Sequence, residues 1–158
     1  MVKIKYWKLV ISILIPLIAS AIGSFFTSTS VSTWYIGLNK PVFNPPNWIF
    51  GPVWTTLYIL MGISLYLVWN KGIKTKKAKA AVTIFSIQLA LNILWSVIFF
   101  GLKSPLFAFI EIIFLWSAIL MTIIYFYRIS KPASYLLIPY ILWVSFAAVL
   151  NFYLFILN

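Results

Sequence analysis

The chain contains no cysteine, no histidine and no aspartate, and Glu111 is its sole acidic residue. Metal centres of the usual kinds, thiol nucleophiles, Ser-His-Asp triads and paired-carboxylate hydrolysis all draw on that missing set, so none is expected. The usual histidine or thiolate ligand for haem iron is missing too. No glycine-rich phosphate loop occurs, which speaks against nucleotide-driven work. Neither a metal nor a required cofactor is therefore expected. With no cysteine there is also no redox compartment to read. Charge is scarce as well: 8% of residues carry one, where a soluble domain has about a quarter.

What fills the chain instead is hydrocarbon. Hydrophobic residues make up 64% of the 158, the composition of an integral membrane protein. Five apolar runs, at 9–26, 51–69, 80–100, 106–127 and 135–157, each come near the ~20 residues that cross a hydrocarbon core. Helix is the expected structure, because backbone groups in lipid must be satisfied inside each span and barrel-type alternation is absent. The predicted fold class is all-α: one domain over 1–158, an integral membrane bundle of five transmembrane helices with a long structured loop between the first two. There is no internal repeat of the kind that halves many secondary transporters.

Lys3, Lys5, Lys8, Lys71, Lys74, Lys76, Lys77, Lys79, Arg128 and Lys131 fall on one side of that bundle, and only Lys40 and Lys103 on the other. The positive-inside rule then places the N-terminus in the cytoplasm, with the first loop and the C-terminus outside a cell membrane. The net charge of +11 is explained by this orientation and by anionic lipid headgroups, so no nucleic-acid partner is expected. A cleaved signal peptide is the competing reading of the N-terminus, with a cleavage site at Ala19-Ser20-Ala21. The apolar run continues through Phe25 and Phe26, which favours a retained helix. Ala19 and Gly23, with Ser20 and Ser24, suit close helix approach. Ala19, Gly23, Ala78, Ala80 and Ala81 are candidates for packing in a homodimer.

Residues 34–62 read WYIGLNKPVFNPPNWIFGPVWTTLYILMG, a loop running straight into a span. Pro41, Pro45, Pro46 and Pro52 stiffen it, while Trp34, Tyr35, Phe43, Trp48 and Phe50 offer broad faces for burial or for a flat ligand. In the third span Gln88, Asn92, Trp95 and Phe99 share one helix face, with Ser96 beside it. The amides there suit either interhelical bonds or a polar anchor in an aromatic pocket. Trp54, Tyr58 and Met61 share a face of the second span, and Pro139, Trp143, Phe146, Ala147 and Leu150 a face of the fifth. Pro139 is expected to free the carbonyl of Tyr135 and bend the helix beside Trp143. Trp7, Trp48 and Trp69 read as interfacial anchors, whereas Trp54, Trp95 and Trp143 lie deeper, open to ligand contact or plain packing. Glu111 reads as a protonated acid or one reaching Lys103 or the interface. Its alternative role is the coupling acid of a small proton-coupled transporter of hydrophobic compounds.

The run Trp34-Tyr35, Leu38, Lys40-Pro41, Pro45-Pro46, Pro52-Val53-Trp54, Leu57-Tyr58 and Leu60-Met61-Gly62 resembles the signature of the translocator protein family, TspO/MBR, also called the peripheral-type benzodiazepine receptor. Gln88-Leu89, Leu91-Asn92 and Trp95-Ser96 with Phe99-Phe100 resemble its third helix, and Pro139-Tyr140, Trp143, Phe146-Ala147 and Leu150-Asn151 its fifth. The resemblance implies a commonly dimeric five-helix bundle with one cavity opening toward the first loop. It also implies ligands such as protoporphyrin IX, other tetrapyrroles and isoquinoline carboxamide or benzodiazepine drugs. By position, Trp34, Tyr35, Trp54, Asn92, Trp143 and Ala147 match cavity residues of the family; Tyr58, Trp95 and Phe146 join them from the aromatic faces. The expected function is a membrane receptor or sensor for porphyrins. Light-dependent porphyrin degradation implicating Trp54 and Trp143 is an added expectation, the macrocycle carrying the hard chemistry. Two departures stand out. Phe43 sits where many members have tryptophan, and Tyr153 lacks the following basic residue of the animal cholesterol motif.

Overall fold

The computed structural model of the protein describes residues 5–158, so Lys3, counted above, lies outside the described residues. Among them, all regular structure is helical: α1 (Tyr6–Val31), α2 (Asn47–Lys71), α3 (Lys76–Ser96), α4 (Pro105–Tyr127), a short α5 (Lys131–Tyr135) and α6 (Ile138–Leu157). A single 3-10 turn, Tyr35–Gly37, stands in the loop between α1 and α2, and a widened π turn, Val97–Gly101, extends α3. Five helical stretches are long and apolar enough to cross a membrane, the fifth formed by α5 and α6 together.

Local chemistry sets the boundaries. Thr75 caps α3 by accepting from the Ala78 amide at 3.1 Å, and Gly72, at φ 108°, ends α2 in a conformation that costs a glycine little. The helices overrun the apolar runs at their ends. Thr27 and Thr29 bond back to the carbonyls of Gly23 and Phe26, so α1 continues through a hydroxyl-rich turn that hydropathy alone discounts.

The fifth span departs from the expected bent helix. Pro139 stands in the first turn of α6, where a missing N–H costs nothing, and Leu136 and Leu137 form a turn between α5 and α6. The proline therefore starts a helix here and does not kink one. The Ser64 hydroxyl, donating to the Ala133 carbonyl at 2.7 Å, ties this break to α2.

Around the bundle α1 packs between α2 and α3, α4 between α3 and α6, and α5 against α2 and α4, while α2 and α6 touch only loosely. Phe85 stacks on Phe126 at 5.7 Å within the core that joins α3 to α4. Ala19, Gly23, Ala78 and Ala81 are buried inside the bundle, and a Cβ on Gly23 would lie 3.2 Å from the Ser96 hydroxyl. Those four small residues serve helix packing within one chain, which removes them from the candidate dimer surface. At one end, the Lys8 ammonium donates to the Trp69 carbonyl at 3.4 Å and the Lys71 ammonium to the Ile129 carbonyl at 2.9 Å. Trp7 meets Trp69 edge-on at 5.4 Å there, a cation-rich aromatic rim opposite the first loop.

Of the glycines, Gly62 lies closest to a neighbouring helix: an added Cβ would stand 2.6 Å from the Ile13 Cα. Gly62→Ala is expected to push α1 and α2 apart at a cost of about 1–3 kcal/mol. Gly51→Ala, where nothing lies within 4 Å, is expected to leave stability unchanged or slightly raised; thermal unfolding in detergent compares the two.

Candidate functional site

Three aromatic residues from three helices frame a cavity of about 340 Å³ in the half of the bundle nearest the first loop: Trp54 on α2, Trp95 on α3 and Trp143 on α6. The π turn places Phe99 and Phe100 next to each other, 4.8 Å apart and edge-on, and Trp95 stacks on Phe99 at 5.0 Å. Single π turns of this kind are rare in helices and occur often at functional sites. Its position is fixed from outside, because the buried Ser30 hydroxyl donates to the Phe100 carbonyl at 2.8 Å.

A chain of hydrogen bonds holds the deep end. The Tyr58 hydroxyl donates to Asn92 Oδ1, Asn92 Nδ2 donates to the Tyr140 hydroxyl at 2.9 Å, and that hydroxyl donates to Gln88 Oε1 at 2.9 Å. Asn92 therefore serves both roles the sequence left open: it bonds three helices together and it lines the cavity. A second link runs from Trp95 Nε1 to Asn151 Oδ1 at 3.0 Å and on from Asn151 Nδ2 to the Pro105 carbonyl at 2.7 Å. The opposite wall is different in kind. Ser20, Ser24 and Thr27 of α1 face the aromatic side, a hydroxyl stripe across from indoles and phenyl rings.

The first loop closes the outer end. Tyr35 is buried in the cavity wall, its hydroxyl donating to Asn44 Oδ1 at 2.8 Å, with the Lys40 ammonium 4.8 Å over its ring. Burial pushes the Tyr35 phenol up to about 12. Trp34 meets Phe99 at 5.5 Å, and Phe43 meets Tyr153 at 5.2 Å and Phe146 at 6.3 Å, so the loop crosses from α1 over α3 to α6. There it is strapped down: the Asn39 amide donates to Asn158 Oδ1 at 2.9 Å, Asn39 Nδ2 to the Leu157 carbonyl at 3.2 Å, and Asn158 Nδ2 to the Asn39 carbonyl at 3.0 Å.

Of the residues picked out from the sequence, Tyr35, Trp54, Tyr58, Asn92, Trp95, Trp143 and Ala147 come together on the wall. Trp34 stands behind Phe99, and Phe146 lies outside the cavity between Phe43 and Trp143. Phe50, Phe100, Asn151 and the α1 hydroxyls line the wall but were not among the sequence-derived site residues. The serine stripe on α1 was the available signal, read there only as a surface for close packing. Glu111 is buried away from this wall, and neither of its oxygens has a hydrogen-bond partner, so the expected reach to Lys103 is not made. No charged residue lines the cavity among the described residues. Groups of three or more His, Cys, Asp or Glu that could hold a metal are likewise absent among them. The arrangement suits a flat, largely apolar ligand with a polar edge, held and not chemically attacked by acid or base.

Five membrane-length helices around a lidded aromatic cavity define a small multi-pass membrane protein with an internal apolar pocket. The TspO/MBR family model matches residues 12–157, and the chain belongs to that family. It is 52% identical to the tryptophan-rich protein TspO of Archaeoglobus fulgidus over 96% of this chain and 97% of that protein. It is 39% identical to the human translocator protein over 88% of this chain and 83% of that one. A tryptophan-rich sensory protein of Cereibacter sphaeroides is 35% identical over 75% of this chain and 73% of its own length. Family and fold together make this a multi-pass membrane protein with a receptor or sensor role.

Two outcomes follow from the lid. Asn158→Ala removes two of the three strap bonds, leaving the one from Asn39 Nδ2 to the Leu157 carbonyl, and amide exchange across residues 34–48 is expected to quicken about thirtyfold, each lost bond being worth about 1 kcal/mol. The neutral Tyr35 phenol is favoured by the closed lid, so its contribution is complete below the unfolded value near 10 and is lost as pH rises through about 12. Ultraviolet titration is expected to show one phenol ionising late that vanishes in Tyr35→Phe.

Proposed function

We propose that this protein is a membrane receptor or sensor that binds porphyrins, protoporphyrin IX among them, in the lidded cavity. The observation that carries the reading is the pairing of indole walls from Trp54, Trp95 and Trp143 with a wall of hydroxyls on α1. A macrocycle stacks on the first, and its polar edge faces the second. The TspO/MBR membership and the relatives named above support the same reading. The bundle sits in a cell membrane with the cation-rich end cytoplasmic and the lid and C-terminus outside, and it works as a homodimer through a face other than its buried small residues.

Light-dependent degradation is the finer part of the proposal. Trp54 and Trp143 are oxidisable indoles on the wall. In this reading an indole gives an electron to the photoexcited ring, and the reduced ring passes it to dioxygen to form superoxide. The indole radical cation recovers an electron from the ring, and superoxide adds to the oxidised ring and opens it. No acid–base pair is required. The transport alternative finds less support, because the coupling acid it needs, Glu111, is off the wall.

A dark titration with protoporphyrin IX, read by tryptophan quenching beside an unrelated membrane protein in the same detergent, tests the binding. Saturable binding is expected, weakened about tenfold in Asn92→Leu, which leaves the hydroxyl of Tyr58 without its acceptor. Binding no better than the control would overturn the proposal. Under light and air, loss of the porphyrin absorbance is expected in the wild type and is slowed in the combined Trp54→Phe, Trp143→Phe protein. Equal loss in dark and light in both proteins would sink the photochemical part.

A further inference from the structure

A second hollow lies beside the cavity, on the seam where α2 and α6 touch only loosely. It is a groove of about 580 Å³ walled by residues including Val53, Thr56 and Leu60 of α2 and Leu142, Trp143 and Phe146 of α6. Both helices belong to membrane-crossing stretches, and Leu142 is 63% exposed, so the groove is continuous with the lipid-facing surface of the bundle. Hydrocarbon is the medium at its mouth.

The lining fixes the chemistry of an occupant. Thr56, the hydroxyl residue in the wall, donates to the Pro52 carbonyl at 2.9 Å, so that hydroxyl is already used by its own helix. Trp143 Nε1 is buried and has no hydrogen-bond partner, so it adds no exposed polar point. The groove thus offers a single hydroxyl with its proton already engaged and no free donor for a headgroup or a carboxylate, in contrast to the several hydroxyls along α1 on the cavity wall. A hollow of this kind in a bilayer is filled by saturated chain, each buried methylene adding its share of dispersion contact.

Trp143 is the one residue shared by the linings of groove and cavity among the described residues. It is wedged between Phe50 at 6.1 Å and Phe146 at 5.5 Å, with no hydrogen bond to fix its indole. We infer that the α2–α6 groove binds an acyl chain of a bilayer lipid, and that this chain packs against Trp143 from the side opposite the cavity. The groove is a lipid site in its own right and stands whether or not the cavity binds porphyrin.

The absence of cysteine makes the test clean, since any introduced thiol is the sole one. The protein is placed in bilayer discs of phosphatidylcholine brominated at mid-chain, where bromine quenches indoles it touches. Subtracting the Trp143→Phe signal isolates the share due to Trp143. In parallel, Thr56→Cys and, as a control, Leu14→Cys on the exposed face of α1 are coupled to a hexadecyl thiosulfonate. Trp143 is expected to be quenched in the unmodified protein and in the Leu14 conjugate. The chain tethered at Thr56 is expected to displace brominated lipid and cut that quenching about threefold or more, through its high local concentration. Absence of Trp143 quenching, or quenching indifferent to the Thr56 tether, would overturn the inference. Shielding of Trp143 in every sample, together with a dimer by size, would also overturn it and name a second copy of the chain as the occupant.

Discussion

The hydrogen-bond chain from Tyr58 through Asn92 and Tyr140 to Gln88 is the constraint on which the rest of the bundle turns. In a hydrocarbon solvent each of those polar groups would be costly alone, and the three helices meet at the one arrangement that satisfies most of them together. Gln88 Nε2 is the atom left over. Because the chain fixes α2, α3 and α6 at a common depth, the indoles one or two turns away fall at the same level. They leave a space between them and do not collapse onto one another. The aromatic cavity is in this sense a by-product of where the amides bond.

The two walls of that cavity come from different physical sources. The aromatic wall is built on helices tied by side-chain bonds, and its rings are set by stacking and edge-on contacts such as Trp95 on Phe99 and Trp54 near Tyr58. The α1 wall is built on small residues, and Gly23 lets the helix approach Ser96 closely. Bulk on one side and its absence on the other leave a slot. The π turn then closes one edge of the slot with two consecutive buried phenylalanines, Phe99 and Phe100, both on the cavity wall.

Much of this was legible in the residues. Five helices, the rigid first loop, and the Gln88, Asn92, Trp95 face follow from hydropathy and from helical spacing. Tyr35, Trp54, Trp143 and Ala147 already stood out in the loop and on the aromatic faces, and the family resemblance assigned them to one cavity. What was not legible depended on which neighbour a face meets. A serine stripe on α1 reads as close packing until α3 and the cavity are seen opposite it. Spacing likewise puts Phe146 and Trp143 on one face of α6, but only Trp143 reaches the cavity wall, and Phe146 packs between it and Phe43 of the first loop. Pro139 shows a further limit. The same residue bends a helix or begins one, and the turn at Leu136 and Leu137 decides between them.

The strap between Asn39 and Asn158 joins positions 119 residues apart. The lid's contacts with α1 and α3 involve segments made early, but its last fastening needs the final turn of α6. As the chain is synthesised and threaded into the bilayer, the vessel is therefore built before its cover is latched. Closure of the cavity thus waits on the last of the five spans, and a chain halted before Asn158 would sit in the membrane as an open cup.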